Sequence, residues 1–118
     1  MTDKDIIHIA AVNGWKAVVR EELDGTKCAS FRQYMRSGMQ FDFTVEMKDC
    51  RAKSLAAEII SLVDAIDPKA CAREWMVKSG IVSPSMFSLA VADMDGIRTE
   101  VWLLTCAFLE FIGGSILP

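Results

Sequence analysis

Histidine occurs once in this 118-residue chain, at His8, and no cysteine has a second cysteine or a histidine near it in sequence. The single histidine means that any Ser-His-Asp or Cys-His arrangement would have to be built on His8. His8 sits between Ile7 and Ile9 in an amphipathic pattern, where an ordinary surface or boundary side chain accounts for it. Cys28, Cys50, Cys71 and Cys106 lack the clustered soft ligands of a zinc site, so no metal or cofactor is expected. Glycines are scattered, and Gly113-Gly114 follows a helical pattern instead of opening one, which argues against a phosphate-cradling loop. The longest apolar stretch, residues 101–112, is well short of the ~20 residues that a membrane-spanning helix needs, so no membrane partner is expected.

Charge is also modest. A net charge of −3 and a pI near 5.1 give no global positive field for nucleic acid or an anionic membrane. The sign is uneven, with nine Lys/Arg against eight Asp/Glu in residues 1–55 and four against eight in residues 56–118. Met1-Thr2-Asp3-Lys4-Asp5 lacks the basic start of a secretory leader. Reduced thiols and a cytoplasmic location are the corresponding expectation.

What the chain does have is enough apolar material, 52% of residues, for a core. Its length suits a single domain over residues 1–118. Thr2 or Asp3 can cap a first helix that Asn13-Gly14 ends. Three strands are predicted over 15–23, 27–35 and 39–47, with Asp24-Gly25 as a two-residue hairpin signal and Arg36-Ser37-Gly38 as the next turn. Asp49 is placed to cap a helix running to Ile66, with Leu55, Ile59, Leu62, Val63 and Ile66 on one stripe. Asp67-Pro68 and Ser83-Pro84 each combine a capping side chain with proline at the first helical position. They start helices that reach Ser79-Gly80 and Asp95-Gly96. Gly96 is expected to interrupt or kink the path before a last helix to Ile112, and the tail 115–118 to be loosely attached. The fold class is α+β: an N-terminal helix, a three-stranded antiparallel meander, and three or four C-terminal helices covering one sheet face.

Residues 39–112 resemble a group of small acidic proteins of no established activity that are encoded in mobile elements of gut bacteria. The matching pieces are Phe41-Asp42-Phe43, Ala65-Ile66-Asp67-Pro68, Glu74-Trp75, and Val82-Ser83-Pro84-Ser85 leading into Leu89 and Ala92-Asp93. Where that group has an acidic pair after the Asp-Pro, this chain has Lys69-Ala70, and where the group has a glycine before the valine it has Ile81. The resemblance implies an accessory protein of a plasmid, phage or conjugative element in a reducing cytoplasm, and it transfers no catalytic residue.

Several residue groups invite chemistry. Asp93-Met94-Asp95-Gly96 echoes the start of a calcium loop, but no glutamate follows at the required position. Asp67 is accounted for by capping. Lys16, Arg20, Lys27, Arg32 and Arg36 accompany Phe31 and Tyr34 on the first two strands, as on nucleic-acid platforms. Glu21, Glu22 and Asp24 in the same hairpin favour a solvated sheet face instead. The last helix carries apolar residues on more than one side, so it is either central or meets a partner. Trp102, Leu104, Phe108, Phe111 and Ile112 are therefore the expected interface, with another protein or with a second copy as a homodimer. The functional expectation is a non-enzymatic interaction protein of a mobile element, with an inhibitor of a host defence system such as an anti-CRISPR as one concrete form. The alternative is a small enzyme or small-molecule binder that uses Cys28 or Cys50 with the sheet face.

Overall fold

A computed structural model of the chain describes residues 1–48 and 51–114, the last three of these by their backbone alone. Helix α1 (Asp3–Val12) leads into strands β1 (Lys16–Glu21), β2 (Lys27–Tyr34) and β3 (Gln40–Met47), followed by α2 (Ala52–Ile60), a 3-10 turn over Val63–Ala65, α3 (Pro68–Ser79) and α4 (Pro84–Gly114). The architecture is the expected α+β one, with the strands in the order β1-β2-β3 and both pairings antiparallel. The molecule measures 49 × 37 × 21 Å. Its short dimension is that of one sheet and one layer of helices.

Local chemistry sets the helix starts. Thr2 accepts the backbone N–H of Asp5 while the Asp5 carboxylate accepts that of Thr2, a reciprocal capping box. Asp67 accepts from the backbone N–H groups of Lys69 and Ala70, and Pro68 occupies the first turn, where a missing N–H costs nothing. The Ser83 hydroxyl lies 3.5 Å from the Met86 nitrogen, a long version of the same cap. Where α1 ends, Trp15 N–H reaches the Ala10 carbonyl and Gly14 N–H that of Ala11, with Gly14 at φ 83°. This paired closure delivers Trp15 directly into the core.

The two hairpins are closed by one device. Gly25 N–H donates to Glu22 and Gly38 N–H to Met35, both glycines lie at positive φ, and the flanking pairs Glu22/Thr26 and Met35/Met39 each share a backbone bond. Each loop is thus three residues long, Leu23-Asp24-Gly25 and Arg36-Ser37-Gly38, with glycine in the left-handed position. The first differs from the two-residue turn that Asp24-Gly25 suggested. Asp24 accepts the Thr26 N–H and Ser37 that of Met39, so the residue before each glycine braces its loop.

Strand register separates two faces. Ala17, Phe31 and Phe43 align across the sheet, as do Val19, Ala29 and Val45, and all six join the core or pack against it. Phe31 stacks on Phe43, and Trp15 meets the edges of Phe41 and Phe43. Trp15 Nε1 is buried without a hydrogen-bond partner among the described residues.

Helix α4 supplies the other half of the core. Ala90, Met94, Ile97, Val101, Leu104, Thr105 and Phe108 recur at steps of one to four residues and are buried. Phe108 places its ring edge against Phe31, with centroids 6.0 Å apart. The polar member, Thr105, donates its hydroxyl to the Val101 carbonyl, so nothing in that stripe is left unpaired. Helices α1, α2 and α3 all contact α4, which is the chief partner of α3.

Three sequence expectations change here. Gly96 does not interrupt α4, which is one helix of 31 residues; Gly96 is exposed while the buried stripe passes on the opposite side, and that packing outweighs the ~1 kcal/mol glycine penalty. The helix after β3 begins at Ala52 behind Arg51, which makes no side-chain cap, and the expected cap Asp49 lies outside the described residues. That helix also stops at Ile60. Ser61 donates its hydroxyl to the Glu58 carbonyl, and the chain tightens through the 3-10 turn so that Ile66 is extended ahead of Asp67-Pro68. The tail 115–118 lies outside the described residues.

Asp93, suspected of belonging to an ion loop, has a structural role. Its Oδ2 accepts the Ser37 backbone N–H at 2.9 Å and ties the β2–β3 turn to the middle of α4.

Two outcomes follow from this architecture. Phe108→Ala should cost about 3–5 kcal/mol in urea unfolding, and a loss near zero would mean that α4 does not close the core. The Asp5 carboxyl lies below its ordinary value, chiefly through the Thr2 backbone bond, as does Asp24 through Thr26. Groups lowered in the fold contribute stability above their unfolded pKa and lose it as the pH falls through the folded one. Stability should therefore drop on acidification below about pH 4. Asp5→Asn should be less stable than the parent at neutral pH and equal to it in acid; identical urea midpoints at every pH would remove the Asp5 contribution.

Candidate interaction surface

Among the described residues, one face of the sheet has no helix on it. Its rows are Lys16, Arg32 and Asp42, then Val18, Ser30 and Thr44, then Arg20, Cys28 and Glu46. The middle row is short and one flanking row is long, which produces a depression of about 260 Å³ lined by Lys16, Val18, Ser30, Arg32, Asp42 and Thr44. Ser30 and Thr44 share a hydroxyl hydrogen bond of 2.9 Å at its floor, and Arg32 Nε stands 3.7 Å from Asp42. The basic side chains of this face stand on β1 and β2 and the acidic ones, Asp42 and Glu46, on β3, and half-exposed pairs of this kind contribute little.

The basic set read from the sequence is divided by the fold. Lys16, Arg20 and Arg32 share the open face with exposed Tyr34, whereas Lys27 lies on the covered side, 3.2 Å from Asp3, and Arg36 sits in a turn. Phe31 is fully buried, so it gives a stacking base nothing to meet. The cysteine reading is divided as well. Cys28 belongs to the open face, while α1, which carries exposed His8, packs on the covered face through Ile6 and Ala10. The sheet separates the two side chains. Cys50 lies outside the described residues. Cys71 is pushed up, first by burial and then by the charges of Glu74 and Asp67, which makes it a poor nucleophile. Among the described residues no group of three or more His, Cys, Asp or Glu is placed to hold a metal ion.

The second surface is the outer side of α4. Of the five residues expected there, Leu104 and Phe108 are wholly buried in the chain's own core, Trp102 is 48% exposed, Phe111 is half-buried, and the Ile112 side chain lies outside the described residues. The helix turns 100° per residue, so neighbours in a continuous apolar run must face different ways. Leu103 and Leu109, absent from the expected set, are 48% and 45% exposed. Their exposure follows from the phase of the helix, which the sheet sets: once residues 101, 104 and 108 face inward, 102, 103 and 109 cannot. Trp102 also walls a shallow depression of about 350 Å³ together with Val63, Asp95, Arg98 and Thr99. The outer side of α4 is thus apolar along its C-terminal half, with Asp95 at one end and Glu110 beside Leu109.

Among the described residues, no helix is long and apolar enough to cross a membrane. No known protein family, curated protein or solved structure matches the chain.

The division of α4 into two sides has a measurable consequence. Leu104→Ala should cost about 2–5 kcal/mol, while Trp102→Ala should cost about 1 kcal/mol or less. Urea titrations followed by circular dichroism compare the two, and equal losses would place Trp102 in the core.

Proposed function

We propose that the chain is a non-enzymatic interaction protein that works by presenting the outer side of α4 to another macromolecule. One observation carries this reading: α4 satisfies the core with Ala90, Met94, Ile97, Val101, Leu104 and Phe108, yet also holds Trp102, Leu103 and Leu109 about half exposed on its other side. Exposed tryptophan and leucine side chains are costly to hydrate and gain from being covered. A partner with a basic surface suits the excess of carboxylates in residues 56–118, because charge of opposite sign speeds and orients docking.

The resemblance to small acidic proteins of mobile elements supports an accessory role, of which an inhibitor of a host defence system is the specific form consistent with an acidic binder. A reducing cytoplasm belongs to the same proposal and is supported by the free thiols of Cys28, Cys71 and Cys106.

Immobilised protein should retain a partner from an extract of the organism that encodes it, and Trp102→Glu, with an unchanged circular dichroism spectrum, should lose it. If both forms retain the same proteins, the outer side of α4 is not the interaction surface.

A further inference from the structure

Strand β2 and helix α4 run antiparallel and are fixed to each other at two points, the Phe31–Phe108 ring contact and the Ser37–Asp93 hydrogen bond. Between those points lie about 20 Å of strand and turn and about 22 Å of helix, judged from the rise per residue of each. The two lengths nearly match, so Tyr34 stands level with Glu100 and Arg36 level with Gly96. Between them is a cleft of about 500 Å³, in the size range of small-molecule sites.

Its lining is not explained by the fold. Arg36 and Glu100 bring opposite charges to its two ends, and neither forms an ion pair with the other or with any other described residue. Gln33 lines the Glu100 end, donates its amide nitrogen to the Gly14 carbonyl at 3.1 Å and keeps its amide oxygen as an acceptor. Gly96 lies between the charges, and a Cβ there would meet no heavy atom within 4 Å among the described residues. Glycine weakens a helix interior relative to alanine, so packing gives no reason for it. Its effect is to leave the backbone of α4 bare in the middle of the cleft.

An unpaired cation and an unpaired carboxylate that face one space from its two ends describe a ligand carrying both charges. We infer that this cleft binds a free α-amino acid with an apolar side chain. The ligand carboxylate accepts from the Arg36 guanidinium beside Gly96, and its ammonium group donates to the Glu100 carboxylate and the Gln33 amide oxygen. Arg36 and Glu100 stand level with points about 6 Å apart along α4, a separation that one small zwitterion bridges with a charge-assisted hydrogen bond at each end. Half-buried Met35 and the partly exposed Leu89 supply an apolar wall for its side chain. A simple anion would leave Glu100 unpaired, and a simple cation would meet Arg36 unopposed. Asp93, which also lines the cleft, is engaged by the Ser37 N–H. Leu89, Gly96 and Glu100 occupy one flank of α4 and Trp102 the other, so this site is separate from the interaction surface proposed above.

The probe is L-leucine, added to the isotope-labelled full chain while its backbone amides are followed by NMR. The amides of Arg36, Gly96 and Glu100 should shift and saturate, with a dissociation constant on the order of 1 mM for a cleft open to solvent. N-acetyl-L-leucine and L-leucine amide each lack one of the two charges, and each should bind at least about tenfold more weakly. Arg36→Gln and Glu100→Gln remove groups that have no partner in the fold, so both should keep the parent circular dichroism spectrum and lose the ligand to the same degree. Gly96→Ala is the sharpest variant: it should melt at a higher temperature than the parent, as alanine favours a helix, and bind L-leucine at least about tenfold more weakly because its methyl group occupies the cleft. Trp102→Glu should bind L-leucine as the parent does, which keeps this test independent of partner capture. No saturable shift with the parent chain, equal binding of either single-charge analogue, or undiminished binding by Gly96→Ala would each overturn the inference.

Discussion

The contact of Phe108 with Phe31 joins the two halves of this molecule. Phe31 is at the centre of the middle strand, where it stacks on Phe43 and has Ala17 as its other cross-strand neighbour. Phe108 brings the far end of a 31-residue helix onto that spot. A three-stranded sheet is too narrow to bury its own apolar face. It depends on a cover, and α4 is the one element in contact with α1, α2 and α3 alike. The hydrogen bond from Ser37 to Asp93 fixes the same helix at a second point, so its rotation about its own axis is set by the sheet.

Once that rotation is set, the outer side of α4 is determined by exclusion. Every residue out of phase with Leu104 and Phe108 must face away from the sheet, and several of these are large and apolar. The open sheet face provides a contrast. Its charged side chains, basic on β1 and β2 and acidic on β3, reach water, and its central hydroxyls satisfy each other, as on a solvated sheet face. Two exposed surfaces of one small domain thus have different physical characters.

Much of this was legible in the residues. Capping side chains, prolines at first helical positions and glycines in left-handed turns act over three or four residues, so Thr2, Asp67 and Gly38 announced their structures locally, while Gly25 announced a hairpin but not the three-residue loop that closes it. The phase of α4 was not legible. A run that is apolar on several sides does not reveal which side faces inward until the sheet supplies an outside reference, and so nothing in the run itself separates Leu104 and Phe108 from Trp102. Gly96 misled for a related reason: its helix penalty is local, whereas the contacts that offset it come from strands some sixty residues earlier in the chain. The bond to Asp93 had no sequence signal, because a carboxylate on a helix and a backbone N–H in a distant turn share no pattern.

The order of elements along the chain adds a constraint on how the protein is made. The meander is complete by Met47, but the ring that covers Phe31 is not synthesised until Phe108. Until then the apolar side chains of the strands have α1 and α2 against them but lack the helix that closes the core. Closure must await contacts of long sequence separation, which are slow to form. This is the interval in which a chaperone, or another nascent chain of the same kind, has access to that face.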